Sequence, residues 1–238
     1  MSYILFDDTF RTKLLPFTFT RPICALRVGI FTFRERWQRL LNEKRIAARA
    51  FGYIHESSHE VIPEGDNIWL NSRLAPSDEL LRQISELAPD TSVRSEEHVL
   101  AARIDKAMFP ADYQGVMSVE VLAEMGISGE DTDTPTLLIS QPSELFQKNA
   151  AFIEYDFELA IQDAPNQKIN DPHTKVYGAD NIYVAPGANI KGALIDAEKG
   201  PIYIGENAEI MEACAVRGPF AMCENAVLKM GAKIYGPT

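Results

Sequence analysis

Ile204-Gly205-Glu206-Asn207-Ala208-Glu209 begins the stretch that decides the fold of the C-terminal part of this 238-residue chain. From there a large apolar residue returns at every sixth position: Ile204, Ile210, Val216, Met222, Leu228 and Ile234. Four places after each stand Ala208, Cys214, Phe220, Ala226, Ala232 and Thr238, which are mostly small. Upstream, Val184-Ala185-Pro186-Gly187-Ala188-Asn189 is another unit, and Ile190 opens a third. Ile190 and Ile204 lie 14 residues apart, two hexads plus two, so the extra pair is expected in a bulging loop around Asp196–Gly200. A six-residue period predicts a parallel β-helix. Each side of its triangular coil is a short strand with one large apolar residue pointing inward. Small residues fit near the corners, and Gly or Asn accepts the turn. An amphipathic helix is excluded by the density of helix-breaking residues, since eight of the 14 glycines fall from Gly178 onward. Val184 to Thr238 makes about three coils of ~18 residues and stops in mid-pattern, so the array is expected to continue, or to be covered by another subunit.

Before that array the pattern is α/β. Tyr3–Phe6, Phe51–Ile54, Ile68–Leu70 and Leu137–Ile139 read as short apolar strands. Gly29–Leu41 has helical spacing, with Ile30, Phe33, Trp37, Leu40 and Leu41 on one side. Pro76-Ser77-Asp78 opens a helix that aligns Leu80, Leu81, Ile84 and Leu87, with Ser77 as cap. Val116–Met125 and Pro142 to about Ile161 read as further helices. Strands alternating with helices predict a mostly parallel, Rossmann-like sheet. The expected organisation is therefore an α/β domain over 1–165, a polar linker over 166–177 containing Asn170-Asp171-Pro172, and a coil over 178–238.

Apolar residues make up 46% and charged residues 24%, the composition of a globular protein with a sizeable core. No apolar run approaches the ~20 residues of a membrane helix, and Met1-Ser2-Tyr3-Ile4-Leu5-Phe6-Asp7-Asp8 lacks the basic start of a signal peptide. Three cysteines, Cys24, Cys214 and Cys223, have no metal spacing and read as buried thiols in a reducing, cytoplasmic setting. The net charge of −11 argues against a nucleic-acid binder. Its distribution is uneven: residues 1–49 hold ten Lys/Arg against Asp7, Asp8, Glu35 and Glu43. A basic island in an acidic chain suits a small, strongly anionic ligand, although Arg34 to Arg49 also read as a solvated helix face.

Two runs carry a resemblance. The first is Leu5-Phe6-Asp7-Asp8, Arg11, Leu14-Leu15-Pro16-Phe17-Thr18, Thr20-Arg21-Pro22 and Leu26-Arg27-Val28-Gly29. The second is Gly200-Pro201-Ile202-Tyr203-Ile204-Gly205, Arg217-Gly218-Pro219-Phe220 and Lys229-Met230-Gly231-Ala232-Lys233-Ile234-Tyr235-Gly236. Together they resemble the bacterial bifunctional sugar nucleotidyltransferase/acetyltransferases, variant relatives of N-acetylglucosamine-1-phosphate uridyltransferase. The resemblance implies a nucleotidyltransferase-like domain followed by a left-handed β-helix. It also implies transfer of a nucleoside monophosphate, UMP from UTP, to a sugar-1-phosphate such as N-acetylglucosamine-1-phosphate, with release of pyrophosphate. Acetyl transfer would need coils beyond Thr238, and the full-length protein is expected to be a homotrimer.

In that pattern Arg11, Leu14–Thr18 and Arg21-Pro22 match an Arg, a Leu-x-Pro-Leu-Thr-like run and a Lys-Pro pair. Asp7-Asp8-Thr9-Phe10 stands where the family has glycines whose backbone N–H groups cradle phosphates. Side chains are then expected to neutralise the phosphates: Arg11 and Arg21 foremost, with Lys13 and Arg27 behind them, Arg27 reading equally as a salt-bridge partner of Glu35 or a helix cap. Asp7 and Asp8 follow a strand, where α/β proteins bind ligands, and are the candidate Mg²⁺ ligands, unless one of them only orders the loop or pairs with Arg11. Asn71 and Arg73, after the strand Ile68–Leu70, are candidates to face the sugar and read equally as residues of an ordinary turn.

Other readings compete. His55-Glu56-Ser57-Ser58-His59 has the zinc-protease spacing, but helix propensity there is poor and no third ligand follows, so it reads as a surface loop. Phe6-Asp7-Asp8-Thr9 has some likeness to a phosphatase nucleophile loop, without the usual residue between the acids. His98 and His173 stand alone and read as structural. A non-catalytic anion-binding or scaffold module that keeps only the fold is the alternative from another class, and pyrophosphate release separates it from an enzyme.

Overall fold

The computed structural model describes residues 1–54, 60–109, 116–162 and 164–238. Its contacts divide the chain into two compact units, Met1–Leu26 with Thr32–Pro142, and Arg27–Phe31 with Ser143–Thr238.

The first unit is built on a six-stranded sheet. Its strands are β1 (Tyr3–Phe6), β2 (Ala47–Arg49), β3 (Asp66–Asn71), β4 (Thr91–Ser95), β5 (His98–Asp105) and β6 (Ser128–Asp131), in the order β2-β1-β3-β5-β4-β6. β1 pairs in parallel with both β2 and β3, β4 pairs in parallel with β6, and β5 alone runs the other way. Alternate residues leave opposite faces of the strands. Leu5, Ile68 and Leu70 enter a core with Trp37 of α1 (Phe33–Leu40) and with Leu80 and Ile84 of α2 (Asp78–Ser85). Ile4, Phe6 and Trp69 enter another with Leu122 of α3 (Val119–Glu124). Both faces are covered, so β1 and the Ile68–Leu70 stretch of β3 are continuously apolar rather than alternating. The chain leaves β1, passes through α1 to β2 on one flank, then returns to β3 on the other flank of β1. That reversal puts the topological switch point, the crevice position of open α/β sheets and the place where they bind ligands, at the carboxyl ends of β1 and β3.

The second unit carries the repeats. Three parallel sheets are visited in rotation: β7 (Lys175–Tyr177), β8 (Ile182–Val184), β9 (Asn189–Ile190), β10 (Leu194–Asp196), β11 (Ile202–Ile204), β12 (Glu209–Ile210), β13 (Ala215–Arg217), β14 (Phe220–Met222), β15 (Val227–Leu228) and β16 (Lys233–Tyr235). Ile182 aligns with Ile202 and Phe220, Ile190 with Ile210 and Leu228, and Ile195 with Val216 and Ile234. The apolar residues of the six-residue period thus stack into one interior. At one corner Gly187, Asn207 and Asn225 all have positive φ, as the corner chemistry requires. The connection from Ile195 to Ile202, with its turn at 198–199, is three residues longer than that from Val216 to Phe220, and the corner from Ile190 to Ile195 is one shorter than that from Ile210 to Val216, a net of two.

Several local readings differ from the structure. The helical pattern from Gly29 begins only at Phe33. Gly29 has φ +72°, the N–H groups of Ile30 and Phe31 bond the Asp156 carboxylate at 2.9 and 3.2 Å, and Thr32 and Glu35 form a capping box. A Cβ on Gly29 would sit 2.5 Å from Asp156 Oδ2 and 2.8 Å from the Phe152 backbone. The helix expected from Pro142 to Ile161 is two, α4 (Glu144–Gln147) and α5 (Asn149–Ile161), and the one expected over Val116–Met125 is the shorter α3. Residues 52–54 form a helical turn instead of a strand. Cys24 and Cys214 are buried free thiols, whereas Cys223 is half-buried.

The division of the chain also differs from a boundary at 165. Phe157 and Ala160 of α5 pack with Ile30, Phe31, Tyr183 and Ala185 in the second unit. The segment expected as a linker is bonded into the coil, with Gln167 N–H on the Val184 carbonyl at 2.8 Å and Lys175 N–H on that of Ala193 at 2.8 Å.

Candidate functional site

The crevice at the ends of β1 and β3 gathers most of the candidates. Asp7 and Asp8 follow β1; Asn71 ends β3, and Ser72 and Arg73 follow it. The backbone locks these ends together: Asp7 N–H bonds the Arg49 carbonyl at 3.1 Å, Ser72 N–H that of Phe6 at 3.0 Å, and Met117 N–H that of Asp7 at 3.2 Å.

Asp8 is closed by a guanidinium fork. Arg73 Nε lies 3.0 and 2.9 Å from its two carboxylate oxygens, and Arg73 Nη2 lies 2.7 Å from Oδ2. Asn71 Nδ2 adds a bond to Oδ2 at 2.9 Å and another to the Val99 carbonyl at 2.8 Å. The Phe10 N–H bonds Asp8 Oδ1 at 3.1 Å and starts the 3-10 turn Thr9–Leu14. Arg73 and Asn71 are completely buried. They therefore stand beneath the crevice, not against a sugar, and Asp8 has no oxygen left over for a metal.

Asp7 is different. Its Oδ1 accepts the Ile23 N–H at 3.1 Å, while Oδ2 lies 3.7 Å from Arg11 Nε, too far for a hydrogen bond. Asp7 Oδ2, Arg11 Nε and Ser72 Oγ are all buried and make no hydrogen bond of good geometry among the described residues. Burial pushes the Asp7 carboxyl up to about 7, and the Ile23 N–H and the Arg11 charge only partly oppose it.

Arg11 is 5% exposed. Its Nη2 donates to the Thr18 carbonyl at 2.5 Å, Thr18 Oγ1 donates back to the Arg11 carbonyl at 2.8 Å, and the guanidinium lies 5.1 Å from the Phe51 ring centre. The run Leu14–Thr18 is thereby tied to Arg11. Lys13 and Arg21 are exposed cations, and Lys13 Nζ sits 4.0 Å from the Phe10 ring centre. Arg27 belongs to the second unit, where its guanidinium donates to the Ile30 carbonyl.

Two participants were not marked by the sequence, Phe10 and Ser72; His98, read there as structural, is a third. His98 Nδ1 faces Arg73 Nη2 at 3.1 Å, and burial with the Arg73 charge lowers its pKa. Ser72 sits between the candidates Asn71 and Arg73, directly after the strand end. The His55–His59 motif lies outside the described residues. Among the described residues no group of three or more His, Cys, Asp or Glu is arranged to hold a metal, and no helix is long and apolar enough to cross a membrane.

Arranged this way, the crevice can fix a turn, hold charge and present cations, which suits positioning and neutralising phosphates. Residues 3–164 match the family model for sugar nucleotidyl transferase. No curated protein matches the chain.

Proposed function

The chain belongs to the sugar nucleotidyl transferase family, and from that premise we propose that it transfers UMP from UTP to N-acetylglucosamine-1-phosphate. The enzyme class, nucleotidyl transfer to a sugar phosphate, comes with the family; the nucleotide and the sugar are our assignment, supported by the resemblance of its two signature runs. In the reaction an oxygen of the sugar-1-phosphate attacks the α-phosphorus. A new P–O bond forms, the bond to the β-phosphate bridging oxygen breaks, and pyrophosphate leaves. The attacking phosphate is already ionised near neutral pH, so the protein's work is alignment and charge neutralisation.

We assign Lys13 and Arg21 to the triphosphate, with Arg11 lending charge from just beneath and shaping Leu14–Thr18. Asp7 fits a divalent cation better than Asp8 does. Its Oδ2 is buried beside Ser72 and Arg11 and makes no hydrogen bond of good geometry among the described residues, whereas both Asp8 oxygens are taken. A single carboxylate suits Mg²⁺ held mainly by substrate phosphates and water. When bound, the ion would offset phosphate charge. The three parallel sheets of the second unit support reading it as a β-helix; its left-handed sense, a cytoplasmic setting and a homotrimer are our assignment from the resemblance.

The observation that carries this reading is the concentration of buried acid and guanidinium at the switch point of the parallel strands. Pyrophosphate release, measured with N-acetylglucosamine-1-phosphate and Mg²⁺ over UTP, CTP, ATP, GTP and dTTP, tests it. UTP is expected to be the preferred substrate. Preference for another nucleotide would overturn the UMP assignment, and silence with a panel of sugar-1-phosphates would overturn the substrate class.

A further inference from the structure

The turn Thr9–Leu14 has no glycine, yet it occupies the place where a phosphate loop needs a fixed backbone. Taking phosphate contact at this turn from the reading above, we propose that Asp8, Arg73, Phe10 and His98 are positioning residues that seat Lys13, doing with side chains what a glycine-rich cradle does with backbone. Arg73 is held at every donor. Nε and one Nη2 hydrogen go to Asp8, the Nη1 pair to the Ile139 carbonyl at 3.0 Å and Ser140 Oγ at 3.1 Å, and the second Nη2 hydrogen to His98 Nδ1. A guanidinium with all five hydrogens placed cannot swing away. It fixes Asp8, and Asp8 Oδ1 in turn holds the Phe10 N–H that begins the turn.

The Phe10 ring transmits this order to the surface. Arg73 Cζ lies 4.2 Å from its centre, the His98 ring packs edge-on at 4.6 Å, and Lys13 Nζ lies 4.0 Å from the same centre. Phe10 is 6% exposed while Lys13 is exposed, so one rigid ring links a buried ion pair to a solvent-facing ammonium. Lys13 is thus held at one spot, not free over its full rotamer range, and a phosphate meeting it there loses less to ordering.

Binding of inorganic tripolyphosphate to the 238-residue chain, measured by titration calorimetry, tests the link through a double-mutant cycle. Lys13→Ala is expected to weaken binding about tenfold, the scale of one charge-assisted contact. Phe10→Leu should cost nearly as much, Phe10→Tyr should keep wild-type affinity, and Lys13→Ala added to Phe10→Leu should cost nothing more. Losses that simply add would overturn the positioning role and leave the phosphate reading standing. Unchanged binding in Lys13→Ala alone would overturn both. Arg73→Lys, which keeps the charge and loses the fork, gives a second cycle with Lys13→Ala, and the same criteria apply if Phe10→Leu fails to fold.

Discussion

The interior of the coil and the crevice at the ends of β1 and β3 are equally closed to solvent, and they are made of opposite materials. Ile202, Ile204, Ile210, Val216 and Phe220 fill the coil with hydrocarbon, one or two residues per side. The coil satisfies its backbone from one turn to the next, as Gly205 N–H does on the Met222 carbonyl at 2.7 Å. At the crevice Asp7, Asp8, Arg11 and Arg73 are all buried, Asp8 against Arg73 and Asp7 beside Arg11, with Asp7 Oδ2, Arg11 Nε and Ser72 Oγ making no hydrogen bond of good geometry among the described residues. Hydrophobic burial is spread evenly and tolerates local loss. Buried charge is favourable only as a matched set, so its cost falls on whichever partner is removed.

The largest expected effect follows from that asymmetry. Arg73→Ala strips Asp8 of its fork and leaves a buried carboxylate with Asn71 and one N–H; it should cost about 3–5 kcal/mol in denaturant unfolding of the first unit. Removing both charges with Asp8→Leu and Arg73→Met should recover much of that loss. If the double variant is no better than Arg73→Ala, the crevice does not behave as a matched set, and the contrast with the coil fails.

The coil should break by crowding instead. A Cβ on Gly205 would stand 2.7 Å from the Glu224 nitrogen and 2.8 Å from the Cys223 carbonyl carbon, both backbone atoms of the next turn. Gly205→Ala should therefore cost about 1–3 kcal/mol, read from the unfolding of the second unit. An alanine there with wild-type stability would mean that the turns are stacked less tightly than the 2.7 Å hydrogen bond indicates.

These regions also differ in how legible they are from sequence. The period placed Ile204, Ile210, Val216, Met222, Leu228 and Ile234 in strands of the coil, because each depends only on neighbours a fixed distance away in sequence. The basic island and the strand Tyr3–Phe6 pointed to the crevice, yet not to its wiring. Asp8 and Arg73 are 65 residues apart, and nothing local marks them as partners. Arg73 and Asn71 looked like turn residues open to a sugar because the crossing of β1 with β3 that buries them is a tertiary event. The same holds for Asp156. Its bonds to Ile30 and Phe31 span more than 120 residues, and they tie Arg27–Phe31 to α5 within the second unit.

A smaller effect isolates Asp7. Its carboxyl is raised to about 7 in the folded chain from 3.8. At acid pH the proton is bound in both states and Asp7 imposes no charge burial. Between about pH 4 and 7 the unfolded chain has released the proton and the folded chain still holds it, so stability falls as pH rises through that window. The limiting slope is about 1.4 kcal/mol per pH unit for one proton. Asp7→Asn removes this dependence. Its stability relative to wild type should improve steadily from pH 4 to 7, measured by paired denaturant titrations. A difference that stays flat over that range would mean that Asp7 ionises as an ordinary carboxylate and that the crevice is wetter than its 2% exposure implies.

The smallest effect on stability should accompany a clear effect on binding, at Arg21. It is exposed and stands after the Leu14–Thr18 run that Arg11 holds, whereas the exposed Arg39 lies on α1. Surface substitutions of this kind usually change stability by no more than about 0.5 kcal/mol. Both Arg21→Ala and Arg39→Ala should therefore unfold with the wild type. They should part in calorimetric titration with UTP. Loss of a phosphate-paired arginine costs on the order of 1–3 kcal/mol, and loss of a solvated helix arginine costs nothing measurable. The experiment separates what the buried set does from what it presents. Asp8, Arg73 and Arg11 would hold the first turn in place, and Arg21 would act only on the ligand. Equal UTP affinity in the two variants would remove Arg21 from the phosphate site and leave Lys13 as its exposed cation.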